Sequence, residues 1–288
     1  MNATPAPGGF LAEMAAASHA RVAAARAREP DAALRARALA APPAPRLALS
    51  AAGFDLVAEL KLRSPALGQL AAAADDLEDR VRAYARGGAA AVSVLTEPAR
   101  FDGSLAHLAR AATALAPHGV PAMRKDFLVD DYQLYEARAH GAGGVLLIAT
   151  MLERATLARL LAVAAGLGLF VLLECFDAAD VRVAGELADG WRGPAHELLI
   201  GVNSRDLRTL QVEPTRLEAL VDELPARHPR VAESGLAVAA DAARLARAGY
   251  SAALVGTALM GSHDPATLAR EMLAAGRGAV TGPRAERG

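Results

Sequence analysis

The stretch Asp55-Leu56-Val57-Ala58-Glu59-Leu60-Lys61-Leu62-Arg63-Ser64-Pro65 is a short apolar run that ends in charge and then in a proline turn. Its first residues do not alternate between apolar and polar, which suits a strand buried on both faces, as in a parallel sheet. An open, doubly wound parallel sheet would normally follow its first strand with a G-x-G-x-x-G turn. Lys61 to Pro65 stands there instead. The choice of architecture then rests on how often the pattern repeats.

It repeats through the rest of the chain. Further runs of this kind are Ala91–Leu95, Val120–Arg124, Gly144–Ile148, Leu169–Leu173, Leu198–Val202, Arg230–Ala232 and Ala252–Val255. Helical stretches are predicted to begin near Leu77, Ser104, Asp131, Glu153, Asp177, Pro214, Ala237 and Pro265. Strict strand–helix alternation implies a parallel sheet, and eight pairs are the number that closes on itself. The predicted fold is α/β, a (β/α)₈ TIM barrel with an N-terminal helical extension. Such barrels take about 250 residues, and the chain has 288. Residues 1–8 contain proline and glycine and are expected to fray. Phe10 to Arg28 is Ala-rich with spaced arginines and reads as a helix, and Leu34 to Leu39 adds a turn before Pro42, Pro43 and Pro45 break the pattern. The predicted organisation is an extension over 1–47, a barrel over 48–277 and a disordered tail over 278–288.

The bulk composition narrows the function. Hydrophobic residues make up 53%, enough for a large core, and the net charge of −1 gives no basic field for nucleic acid. Cys175 is the single cysteine, so no disulfide can form within the chain; it reads as a small buried strand residue. No run reaches the roughly 18 apolar residues of a membrane span, and Glu13 and His19 interrupt any signal-peptide pattern. A cytoplasmic protein without nucleic-acid or membrane partners is expected.

In barrels of this kind the chemistry sits at the C-terminal ends of the strands. The polar residues that end the predicted strands are Glu59 and Lys61, Thr96, Lys125 and Asp126, Glu174, Asn203 to Arg205, Glu233 and Ser234, and Gly256 and Thr257. Glu59 and Lys61 are two apart and share a strand face, where they could also form a plain structural ion pair. So many charges on one rim point to a ligand. Ser234-Gly235 and Gly256-Thr257 each set a glycine where backbone N–H groups can approach an anion, in the two loops that hold phosphate in many barrels. The rim has no histidine cluster: His107, His118, His140, His196 and His228 fall on predicted helices or loops away from it. No metal and no cofactor are expected.

These residues resemble the indole-3-glycerol-phosphate synthase family. The resemblance is carried by Ala58-Glu59-Leu60-Lys61-Leu62-Arg63-Ser64-Pro65, Ser93-Val94-Leu95-Thr96 with Phe101, Arg124-Lys125-Asp126-Phe127, Gly201-Val202-Asn203-Ser204-Arg205-Asp206-Leu207, Ala232-Glu233-Ser234-Gly235 and Leu254-Val255-Gly256-Thr257. It spans about residues 54–275, in order. It implies a carboxy-lyase of tryptophan biosynthesis that converts 1-(2-carboxyphenylamino)-1-deoxyribulose 5-phosphate, by ring closure, loss of CO₂ and loss of water, to indole-3-glycerol phosphate.

The resemblance also implies roles. Lys125, one residue past the predicted third strand, is the general acid, Glu174 its acid/base partner, and Lys61 the contact for the substrate carboxylate, with Glu59 orienting it. Asn203, Arg205 and Glu233 position substrate and lysines. Ser64, Ser234, Gly235, Gly256 and Thr257 surround the phosphate, and Phe101, Phe127, Leu146 and Leu254 wall the aryl ring. The N-terminal helix is expected to cover part of the mouth, and association with other tryptophan-pathway enzymes is an implied partner.

Some positions depart from the family pattern: Ala66-Leu67-Gly68 in the first loop, Cys175-Phe176 after Glu174, and Thr257 where a serine is frequent. They motivate one alternative, a paralogue acting on a related aryl-amino sugar phosphate; a second, a barrel that binds a phosphorylated ligand or a partner enzyme without turnover, is opposed by Lys61, Lys125 and Glu174 standing together. A phosphoribosylanthranilate isomerase would want a Cys/Asp pair at the first and fifth strand ends, and Glu59 and Lys61 stand at the first.

Overall fold

The computed structural model describes residues 9–281 apart from 65–67, 70–76, 207–210 and 214. Eight parallel strands close into a barrel: β1 (Asp55–Leu60), β2 (Ala91–Leu95), β3 (Ala122–Lys125), β4 (Gly144–Ile148), β5 (Phe170–Cys175), β6 (Leu198–Asn203), β7 (Arg230–Glu233) and β8 (Ala252–Val255). Each pairs with its neighbours in sequence, and β1 closes the ring on β8 with Asp55 opposite Ala252. Two helices precede the barrel, α1 (Phe10–Arg28) and α2 (Asp31–Ala40). Eight surround it: α3 (Leu77–Arg86), α4 (Leu105–Leu115), α5 (Asp131–Ala139), α6 (Arg154–Gly166), α7 (Ala178–Ala188), α8 (Thr215–Leu220), α9 (Ala239–Ala248) and α10 (Pro265–Thr281).

Several helices start where a side chain satisfies the free N–H groups of their first turn. Ser104 Oγ accepts from His107 N at 3.1 Å, and Asp177 Oδ1 accepts from Asp180 N at 2.9 Å. Asp130 and Gln133 form a reciprocal capping box on α5.

The alternation of side chains along each strand divides the core in two. Leu56, Ala58, Val92, Val94, Leu173, Cys175 and their like pack outward against the helices. Val57, Ala91, Met123, Leu146, Leu172, Leu199, Val231 and Leu254 point into the barrel and fill it. Gly144 makes room there for Phe170, whose ring atoms lie within 2.5 Å of where a Cβ would stand. The segment between α2 and β1 closes the base. Leu47 packs into the inner cluster, Arg46 pairs with Glu197 at 2.6 Å, and Asp55 accepts from Ser50 N at 2.8 Å and from Arg277 at 3.0 Å.

The strands run further toward the mouth than the apolar runs predict. β3 includes Lys125, β5 includes Glu174 and Cys175, β6 includes Asn203 and β7 includes Glu233. The ladder continues because each has a partner: Lys125 opposite Leu95, Glu174 opposite Ile148 and Gly201, Asn203 opposite Glu233. At its other end β3 begins at Ala122, after Pro121, which has no N–H to give a ladder. The helix expected near Ala237 begins at Ala239, because Asp241 Oδ2 takes the N–H groups of Ala237 and Val238 in a capping turn. Hydrophobic periodicity did not reveal the ribbon of Arg63–Ser64 with Gly68–Gln69, nor the single helical turns Pro98–Phe101 and Thr257–Gly261. Pro214, Ala66-Leu67 and the expected frayed segment 1–8 lie outside the described residues, as does 282–288 of the expected tail; α10 runs to Thr281.

Candidate active site

The inward positions of the strands turn from apolar to charged one layer above the filled core. Glu59, Lys61, Lys125, Glu174, Asn203 and Glu233 line one cavity of about 400 Å³ at the C-terminal end of the barrel. Lys61 Nζ lies 2.8 Å from Glu59 Oε1, and Lys125 Nζ lies 3.1 Å from Glu174 Oε2 and 3.7 Å from Glu233 Oε2. All three carboxyl groups are buried.

Burial alone would disfavour each of these charges. For Glu59 it does push the pKa up, but Lys61 and Lys125 outweigh it and hold the carboxyl below its usual range. Burial pulls Lys125 down, and its acidic neighbours, Glu174 foremost, outweigh that, so its ammonium is held more firmly than that of a free lysine. Glu233 goes the other way: burial raises it well above the usual range, Glu174 adds to the rise, and Lys125 only partly opposes it.

Two glycines make room for this cluster. A Cβ on Gly201 would stand 2.1 Å from Glu233 Oε1, and one on Gly256 would stand 2.3 Å from Glu59 Oε1 and 3.0 Å from Lys61 Nζ. The sequence suggested that Gly256 serves close approach of an anion; the nearest demand for a bare backbone there comes from the Glu59 carboxyl. Asn203 Oδ1 accepts from Ser234 Oγ at 2.8 Å and from Arg205 N at 2.9 Å, which ties the β6 and β7 loops together. Ser234 and Gly235 both have positive φ, 69° and 80°, in the loop after β7. Gly256 leads directly into the turn Thr257–Gly261, and Ser234, Gly235, Gly256 and Thr257 all line the cavity. Ser64 pairs with Gly68 through its backbone in the ribbon beyond β1.

Phe101, Phe127, Leu146 and Leu254 form the apolar wall, joined by Phe10 of α1 and by Ile148. The Phe10 and Phe127 rings meet edge to face at 5.8 Å, and Phe101 and Phe127 lie 6.3 Å apart. A buried polar network fixes this wall. Arg21 of α1 reaches Asp126 Oδ1 at 2.7 Å and Glu97 Oε1 at 3.5 Å. Asp126 also accepts from Thr96 Oγ1 at 2.8 Å and from Phe127 N at 2.8 Å. Glu97 caps the turn that carries Phe101, accepting from Ala99 N and Arg100 N. Ser18 Oγ donates to the Phe127 carbonyl.

Phe10, Arg21 and Glu97 escaped the sequence reading, since no local pattern marks a residue whose partners are far along the chain. Asp126 was noted as a strand end, without its network. The histidines named above all lie off the cavity; His228 is buried with Nδ1 3.0 Å from the Ala195 carbonyl. Among the described residues no group of three His, Cys, Asp or Glu side chains could hold a metal ion, and no helix is long and apolar enough to cross a membrane.

The family model described as indole-3-glycerol phosphate synthase matches residues 11–272. Indole-3-glycerol phosphate synthase 1 of Streptomyces coelicolor is 42% identical over 229 residues, which cover 80% of this chain and 81% of that one. The indole-3-glycerol phosphate synthase of Rhodococcus opacus is 41% identical over 247 residues, 85% of this chain and 87% of that one. Among solved structures, 3-hexulose-6-phosphate synthase from Salmonella typhimurium superposes with a TM-score of 0.58 at 16% identity, covering 78% of this chain and 98% of that one. Thiamine phosphate pyrophosphorylase from Pyrococcus furiosus gives 0.57 at 16% identity, over 79% and 97%. At that identity the two structures speak for the barrel alone.

Proposed function

The chain belongs to the indole-3-glycerol phosphate synthase family, and from that premise we propose how its own side chains carry the reaction. It is a carboxy-lyase of tryptophan biosynthesis that takes a phosphorylated small molecule, the carboxyphenylamino-deoxyribulose phosphate, to indole-3-glycerol phosphate. The phosphate is received by the loops of Ser234-Gly235 and Gly256-Thr257, where backbone N–H groups and the start of a helical turn favour an anion. The aryl ring lies against Phe101, Phe127, Leu146 and Leu254, with Phe10 closing the wall. Lys61, steadied by Glu59, meets the substrate carboxylate. Arg205, through its loop, and Asn203 keep the sugar chain in place between the two ends.

Lys125 is the general acid. Its proton goes to the carbonyl oxygen as the ring carbon attacks, and the aryl carboxylate then leaves as CO₂. Glu174, in contact with Lys125, takes the proton released when the indole double bond forms. Such positioned proton transfer contributes about 10²–10⁴-fold. The observation that carries this reading is the Lys125 ammonium held 3.1 Å from Glu174 on the floor of a cavity with an aromatic wall on one side and the glycine loops on the other. The test is direct: the protein is mixed with the carboxyphenylamino-deoxyribulose phosphate while indole absorbance and fluorescence are followed. A flat trace with folded protein rejects it.

A further inference from the structure

Two lysines and three glutamates meet on the cavity floor, and their pairing is uneven. Lys61 lies 2.8 Å from Glu59, and Lys125 lies 3.1 Å from Glu174. Glu233 is the carboxyl left over. Lys125 stands 3.7 Å from its nearer oxygen, beyond hydrogen-bond reach, and among the described residues no donor bonds either oxygen, while the neighbouring Glu174 carboxyl favours a proton held between the two. With 1% of its surface exposed, the group has no protein donor among the described residues to hold a negative charge. An uncompensated buried charge is expensive, and a carboxyl escapes that cost by keeping its proton. The groups that act on it are Lys125 from β3, Glu174 from β5 and Glu59 from β1, while β6 sets the bare backbone of Gly201 against one of its oxygens and Asn203, its neighbour in the ladder, accepts from Ser234 and Arg205 N. Lys61 and Arg205, the other cations lining the cavity among the described residues, act on Glu59. The surroundings therefore hold two carboxylates against Glu233 and one shared lysine in favour of its charge, and the rise in its pKa follows that balance.

The reaction needs such a group. Ring closure places one proton on the carbonyl oxygen, and departure of CO₂ returns its bonding pair to the aryl ring. Dehydration then asks the same oxygen, now a hydroxyl, to take a second proton and leave as water. Lys125, the acid in the assignment above on which this step rests, has become a neutral amine by then. We propose that Glu233 enters the cycle as a neutral carboxylic acid and returns a proton to Lys125 between ring closure and dehydration. The proton crosses the 3.7 Å between them through one water in the cavity, and the transfer makes a Glu233 carboxylate and a renewed ammonium, which protonates the leaving hydroxyl. Glu174 takes the proton lost from the ring and hands it to Lys125, 3.1 Å away. One proton from solvent then restores Glu233. That equals the single proton consumed overall when a carboxylate substrate leaves as CO₂ and water.

Glu233→Gln keeps the size and neutrality of the group and cannot give up a proton. In rapid mixing with the carboxyphenylamino-deoxyribulose phosphate, CO₂ release in the first turnover is expected to stay within about twofold of the natural protein, and the later indole signal to slow by at least about tenfold. A hydroxylated indoline accumulates between the two phases. Equal slowing of both phases, or of neither, overturns the proposal. Infrared spectra of the natural protein are expected to contain the carbonyl band of a protonated, buried carboxyl that Glu233→Gln removes. A natural protein without that band overturns the proposal even if the variant does not fold. A Lys125→Met protein with undiminished turnover defeats the acid assignment and the transfer together. A normal loss in Lys125→Met with both phases slowed equally in Glu233→Gln defeats the transfer alone.

Discussion

The base and the mouth of this barrel are built on the same eight strands, a few residues apart, and they handle charge in opposite ways. At the base Arg46 answers Glu197, Arg277 and Ser50 answer Asp55, and Leu47 seals an interior filled by Met123 and Phe170. At the mouth the same inward positions carry Glu59, Lys125, Glu174 and Glu233 around an open cavity, and among the described residues both oxygens of Glu233 are left without a donor. The base is arranged for the lowest free energy of the folded chain. The mouth pushes the Glu233 carboxyl well above its usual range while it holds Glu59 and Lys125 in their charged forms, a contrast that suits proton transfer. Damage at the base should therefore appear as lost stability with normal chemistry, and damage at the mouth as lost chemistry in a stable protein.

The largest effect is expected from Lys125→Met. The methionine keeps most of the buried stem and removes the proton, so kcat should fall at least about a hundredfold while Tm moves by only a few degrees. Steady-state kinetics beside calorimetry decide it, and near-normal turnover would make Lys61 the acid to examine. Leu47→Ala is the counterpart at the base. Truncating a fully buried leucine costs about 2–5 kcal/mol, and urea unfolding should report that loss with kcat/KM unchanged within about twofold. A matching drop in kcat would erase the division between the two ends.

Phe10→Ala probes the border, where α1 reaches into the mouth. Losing one aromatic contact is worth roughly 0.5–1.5 kcal/mol, so KM should rise about two- to tenfold with kcat retained. An unchanged KM would remove α1 from the aryl wall. The smallest effect concerns Asp180 of α7, whose Oδ2 accepts from Phe176 N at 2.9 Å just beyond Glu174. Burial, then Asp177 and Glu174, push this carboxyl up to about 6, whereas an unfolded aspartate titrates near about 4. The folded state therefore binds its proton more tightly. That contribution is complete below about pH 4 and is lost as pH rises through about 6. Asp180→Asn keeps an acceptor for Phe176 and carries no charge, so Tm should gain a degree or two near about pH 8 and nothing near about pH 4. An equal gain at both pH values would show that charge is not the cause.

The sequence makes the mouth legible where a side chain ends an apolar run. Lys125, Glu174 and the Glu59–Lys61 pair announce themselves because charge directly follows a strand that is otherwise buried. The eight strands are visible for the same reason, and their ends are not, because the ladder of Glu174 with Ile148 and Gly201 depends on neighbours that a one-dimensional pattern does not contain. Gly201 shows the limit most clearly. Within β6 it looks like a weak strand residue, and its use appears only when the barrel register brings Glu233 across to it. Phe10 and Arg21 are silent for a related reason, since their meaning lies in Phe127, Asp126 and Glu97.

The placement of Arg21 also sets a timetable. A ribosome delivers α1 well before the groups that receive it: Asp126 follows Arg21 by 105 residues, and Phe127 follows Ser18 by 109. Until β3 and its loop have emerged, Arg21 lacks Asp126 and Phe10 lacks the edge of the Phe127 ring. The ring itself waits longer, because β1 must find β8 nearly 200 residues later, Asp55 beside Ala252. The helix that is made early is thus among the parts that settle late. During that interval its Ala-rich surface is carried as an undocked arm, the stage at which a nascent chain of this kind is most exposed to proteases and most in need of a chaperone.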